Sequence, residues 1–319
     1  MKHLVNKEHT GHLKKRAILE IVGFAILISV CINQRSVITT ALSAIRQADV
    51  FYLGLLLMTY WVLLPIAAQN YRLLSNKPLS LFNTALAHLS GSGPARIIPG
   101  GLGQISVGVV YMQRVGLKLQ QSIIVIVTNN LIGIVTNLTL LLIALLIHPT
   151  ILDTIFQNLT GKYLLIFLLF ILVILMAIFL LSHARATKKI VKKARIQWGS
   201  LLVSLSKDPK KLTFIIIDSI TITIGHTLMI ILAAKALSID VSVVDGLIAL
   251  SAGVFIGGII PTPGGLGAVE AGTMSALVVL GYNPAEATSI ALLFRTANYW
   301  QPLIPGMFAY MYLRERKLL

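Results

Sequence analysis

Long apolar stretches separated by short polar segments set the pattern of this chain. Six of them approach or pass the roughly 20 residues that carry a helix across a bilayer. They predict spanning helices over Ala17–Ile32, Val50–Ala68, Leu119–Ile147, Tyr163–Ser182, Leu212–Leu237 and Ala287–Leu313. Membrane strands are excluded because the runs are solidly apolar instead of alternating. Two further stretches, 80–115 and 243–281, are apolar but cut at their centres by glycine and proline. Proline lacks an amide donor and glycine relaxes the backbone, so each stretch predicts a helix, a break and a returning helix.

The two breaks repeat each other. "PGGLG" occupies 99–103 and again 263–267, Gly108 matches Gly272, and Gly116 matches Gly281 after a one-residue shift, which sets Asn130 opposite Arg295. The expected fold is therefore an all-α polytopic membrane protein made as one transmembrane domain, 1–319. It comprises inverted repeats over 17–147 and 163–313, each with a re-entrant hairpin, and a basic cytoplasmic connector over 183–211. Inverted repeats with broken helices mark transporters, with the binding site where the breaks meet.

Composition agrees. Hydrophobic residues make up 56% of the 319 and charged residues 12%, and mean hydropathy is +0.85. The net charge of +16 does not point to nucleic acid, because it sits in loops on one side. With the N-terminus inside, the segments 1–16, 70–80, 114–118, 183–211 and 312–319 hold 21 of the 27 Lys and Arg residues. That bias predicts the cytoplasmic (inner) membrane with both termini cytoplasmic. The basic N-terminus before an apolar run imitates a secretory signal, but the repeat needs that helix, so it is read as a retained anchor. The single cysteine, Cys31, excludes an intrachain disulfide.

The breaks carry the candidate chemistry. A half-helix that starts just after PGGLG presents unpaired amides and partial positive charge, which suits phosphate. The competing reading is a tight turn for close packing, with small faces at Gly253 and Gly257 or at Gly267 and Ala271. Arg96 and Arg295 lie inside membrane segments, where a charge needs a cavity, a partner or an anionic ligand. Arg96 can instead snorkel to the surface, and Arg295 can pair structurally with Glu270. Glu270 can neutralise the half-helix start, but Ser106 stands at the matching position, which favours a role as proton carrier or cation ligand. Asp218 and His226 lie on one helix face as further proton-relay candidates. Against that, Asp218 can pair with a connector lysine and His226 can serve in packing. Tyr299 and Trp300 are too deep for an interfacial belt and are read as lining the site. No nucleotide loop, metal spacing or nucleophile–base pair is present, so no cofactor and no metal are expected.

"ARIIPGGLGQ" with "GLKLQQS", and "PTPGGLGAVEAGTMSALVVLGYNPAEATSIALLFRTANYW", resemble the two signature regions of the lysylphosphatidylglycerol synthase/flippase transmembrane family. The resemblance implies a domain that moves a phospholipid between leaflets. It points to Arg96, Pro99, Gly100, Gly101, Gly103, Pro263, Gly264, Gly265, Gly267, Glu270 and Arg295 as substrate-binding residues. Asn130, Tyr299 and Trp300 join them from the reading above. The sequence ends at "LRERKLL", directly after the last expected span, so no soluble synthase domain is expected and aminoacyl transfer is not carried over. The expected substrate is a phospholipid or another phosphate-bearing, lipid-linked molecule. The reading admits a separate synthase as partner and a homo-oligomer. A membrane-embedded enzyme acting at a lipid phosphate, with Glu270 or Asp218 as base, is the alternative, together with a non-catalytic lipid-binding subunit in lipid or lipid-linked sugar metabolism.

Overall fold

The computed structural model describes residues 48–75, 77–98, 102–147, 205–260 and 264–319, with isolated positions at 43, 46, 198, 199, 203 and 262. The expected spans Ala17–Ile32 and Tyr163–Ser182 and residues 183–197 of the basic connector lie outside these residues. The described part is helical throughout. Its elements are α1 (Val50–Leu74), α2 (Leu81–Gly91), a 3₁₀ turn (Pro94–Ile97), α3 (Leu102–Arg114) and α4 (Leu119–Ile147), then α5 (Pro209–Ala236), α6 (Val243–Ile259), α7 (Ala268–Val279), α8 (Pro284–Arg295), a π turn (Thr296–Trp300) and α9 (Leu303–Glu315). Three of these helices, α1, α4 and α5, are long and apolar enough to cross a membrane.

Their ends follow local chemistry. Asp49 caps α1 by accepting from the Phe51 amide at 2.8 Å, and Asp208 with Pro209 opens α5. α1 runs on to Leu74, past the expected end at Ala68, because Asn70 and Leu74 are buried against the rest of the protein. The packing of α1 on α5 forms one core, in which Leu56, Tyr60 and Leu63 meet Met229, Ile230 and Ala233. A methyl group on Gly225 would strike Leu63, so the two helices approach where that side chain is missing. A second core gathers Leu74, Tyr111, Ile126, Ile215 and Leu313.

Both interrupted stretches form a helix, a break and a returning helix. The helices after the breaks end identically: Leu117 bonds back to the Met112 carbonyl and Gly116 to Gln113, while Tyr282 bonds back to Leu277 and Gly281 to Val278. These are Schellman ends, and each places glycine at the left-handed position, with φ of +94° at Gly116 and +99° at Gly281. The following helices start alike too, since Gln121 reaches back to the Lys118 amide as Glu286 does to Asn283.

Of the two small-residue faces expected, the one at Gly253 and Gly257 makes a helix contact, while the expected last span needs correcting. The small-residue contact of the second hairpin joins Gly253 and Gly257 of α6 to Val269, Gly272 and Thr273 of α7. Gly267 and Ala271 are exposed instead. The expected span Ala287–Leu313 is not one helix: it divides into α8 and α9 at the π turn, where the Gln301 amide bonds to the Thr296 carbonyl at 2.8 Å and Pro302 follows. Proline cannot donate the next helical hydrogen bond, and hydropathy alone does not register that loss.

Candidate functional site

The π turn and the two breaks meet around Tyr299. Arg96, on the 3₁₀ turn of the first break, donates from Nη1 to the Tyr299 carbonyl at 2.8 Å and from Nη2 to the Asn298 carbonyl at 3.0 Å. Arg295 ends α8 and is 4% exposed. Its Nε donates to Glu270 Oε1 at 2.9 Å and its Nη2 to the Gly264 carbonyl at 3.0 Å. Both guanidinium groups lie against the Tyr299 ring, at 4.3 Å and 4.4 Å from its centroid. The negative face of an aromatic ring attracts cations, so Tyr299 holds together two groups that otherwise repel. Trp300 packs edge-on to Tyr299, with centroids 5.1 Å apart.

The glycines make this approach feasible. Gly264, Gly265 and Gly267 have φ of +60°, +70° and +79°, a region closed to most side chains. A Cβ on Gly264 would meet the Tyr299 ring. Gly103, which matches Gly267 in the repeat, works differently: it already lies inside α3, and a Cβ there would meet the Ala95 carbonyl oxygen. Pro99, Gly100, Gly101 and Pro263 lie outside the described residues.

The electrostatics are unequal. Arg295 and Glu270 neutralise each other, so the structural pair foreseen for them forms, and Glu270 does not spend its carboxylate on the start of α7. Its other oxygen, Oε2, is buried without a hydrogen-bond partner. Arg96 has only carbonyl and ring partners, and among the described residues no carboxylate lies within ion-pair distance of it. The cluster therefore keeps one unbalanced positive charge among the described residues.

Arg96, Gly264, Glu270, Arg295, Tyr299 and Trp300 are thus brought together, while other candidates are not. Asn130 lies on the exposed side of α4. His226 Nδ1 sits 2.8 Å from the Ile222 carbonyl of its own helix, as a packing histidine does. Asp218 forms no ion pair among the described residues, and its Oδ2 is buried without a partner. A polar group that the sequence reading missed lies beside the site. The His88 ring faces the Tyr71 ring, with centroids 5.9 Å apart. Isolated polar residues within apolar runs were the available signal. Among the described residues no group of three His, Cys, Asp or Glu side chains is placed to hold a metal ion.

Long apolar helices and a charged cluster held between two helix breaks define a helical membrane protein with a built polar centre. The family model for the lysylphosphatidylglycerol synthase TM region matches residues 18–306. That span covers most of the chain, which belongs to this family and has a membrane, lipid-related role. No curated protein matches the sequence.

Proposed function

We propose that this protein is a lipid flippase, moving a phospholipid or another phosphate-bearing lipid between the leaflets of the cytoplasmic membrane. The observation that carries the reading is the guanidinium of Arg96, which no carboxylate among the described residues balances, beside the neutral Arg295–Glu270 pair. An uncompensated cation within a membrane protein is costly unless a ligand completes it. A phosphate oxygen fits, because a guanidinium can keep its two carbonyl bonds and still direct other N–H groups at an anion. Glu270 Oε2 supplies an acceptor for a cationic or hydroxyl-bearing part of the headgroup.

The two similar helix–break–helix units support an inverted-repeat reading, in which rocking of the halves exposes the pocket to each leaflet in turn. In that reading both termini are cytoplasmic and the acyl chains stay in lipid throughout. The test is to identify lipids retained by the purified protein. Wild type should hold anionic phospholipid in preference to neutral lipid, and Arg96→Ala should lose that preference. Equal retention of anionic lipid by both proteins would remove Arg96 from the site.

A further inference from the structure

An α-helix running through residues 296–306 would cap the Asn298 carbonyl with the amide of residue 302. That residue is Pro302, which has no amide hydrogen. The chain responds with a π turn over Thr296–Trp300, closed by the Gln301 amide on the Thr296 carbonyl at 2.8 Å. The Asn298 and Tyr299 carbonyls accept instead from the two terminal nitrogens of Arg96, at 3.0 Å and 2.8 Å. Nearby, the backbones of Gly93 and Gly306 come so close that a Cβ on Gly93 would stand 2.6 Å from the Gly306 carbonyl carbon. The Arg96 turn is therefore docked at two points, on the π turn and on α9, and at the first of them the Asn298 carbonyl is an acceptor that Pro302 leaves without its α-helical donor.

We propose that Pro302 is a positioning residue for the anion site. By withholding a backbone donor, it leaves the Asn298 carbonyl to pair with Arg96. The paired carbonyls then fix the plane of the guanidinium, so that its remaining N–H groups are oriented before a ligand arrives. Such a fork suits a phosphate, which accepts two parallel hydrogen bonds, better than a mobile cation would. The contact stands on its own geometry, while its consequence for binding rests on the lipid-transport reading.

The probe is headgroup-labelled phosphatidylglycerol, titrated against the full chain in nanodiscs of neutral lipid. Pro302→Ala restores an amide that competes with Arg96 for the Asn298 carbonyl, and it should weaken binding about tenfold, as expected for one charge-assisted hydrogen bond. Pro302→Gly should weaken it as much, because it too restores the amide. In an Arg96→Ala background Pro302→Ala should change binding less than about twofold, since a group acting through Arg96 has nothing left to position. Equal losses in both backgrounds, or no loss in folded Pro302→Ala, would overturn the proposal. If the proline variants do not fold, Arg96→Lys decides: it keeps the charge but loses the fork. It should bind nearly as poorly as Arg96→Ala, and wild-type affinity in that variant would overturn the proposal. If wild type binds no labelled lipid, the transport reading fails and the contact is tested by unfolding wild type, Pro302→Ala, Arg96→Ala and the double variant. Non-additive stabilities would uphold the Pro302–Arg96 coupling, and additive ones would remove it.

Discussion

Replacing Glu270 by glutamine leaves the shape of the ion pair and removes its negative charge. The Arg295 and Glu270 side chains are 5% and 14% exposed, and their contact is 2.9 Å. At an effective dielectric near 20, opposite charges at about 4 Å attract by roughly 4 kcal/mol. Breaking a buried pair by removing one partner costs about 3–5 kcal/mol, because the other charge is stranded. Arg295 keeps the Gly264 carbonyl and the Tyr299 ring, so the lower end, about 3 kcal/mol, applies to Glu270→Gln. Arg295→Met should cost at least as much, since it strands a carboxylate whose second oxygen already lacks a partner. The double variant removes both charges and should fall within about 1 kcal/mol of wild type. The assay is equilibrium unfolding of the four proteins in mild detergent titrated with SDS. If the two single losses simply add in the double variant, the pair is not coupled and the neutral half of the site has been misread.

The remaining predictions concern backbone and pH. Gly264→Ala should lower the unfolding midpoint more than Gly267→Ala. Both positions have positive φ, which costs about 1 kcal/mol for alanine, but only at Gly264 would the added methyl meet the Tyr299 ring. At the loop before α8, the Tyr282 hydroxyl donates to Asp245 Oδ2 at 2.9 Å. Burial, reinforced by that carboxylate, pushes the phenol up to about 12 from its ordinary 10.0. A raised pKa here favours the protonated folded form, so the contribution is complete below pH 10 and disappears as pH rises towards 12. Melting curves should therefore show a steeper alkaline loss for wild type than for Tyr282→Phe over that window, and parallel curves would contradict the sign.

Much of the fold was legible because lipid imposes a simple rule on the chain. Leu119–Ile147 was bounded correctly from hydropathy, since nothing but apolar length defines it. α1 was cut short because Gln69, Asn70 and Arg72 look like a loop, yet Asn70 is 2% exposed and donates to Ser219 at 3.3 Å. Hydropathy makes the last span look continuous, because a π turn followed by Pro302 interrupts the helix without changing its apolar character. At the site, Arg96, Glu270, Arg295 and Tyr299 could be found because charged and aromatic groups at membrane depth require partners. Asn130 was misplaced because the repeat aligns backbone positions and says nothing of which side a residue presents. Its neighbour Asn129 is the more buried of the two.

The most direct measurement follows a headgroup-labelled anionic phospholipid across liposomes containing the purified protein. Movement that depends on the wild-type protein, and that is lost in folded Arg96→Ala, is the expected result. Movement at the wild-type rate in Arg96→Ala, or none with folded wild type in a sealed bilayer, would contradict an anionic-lipid flippase built on this site.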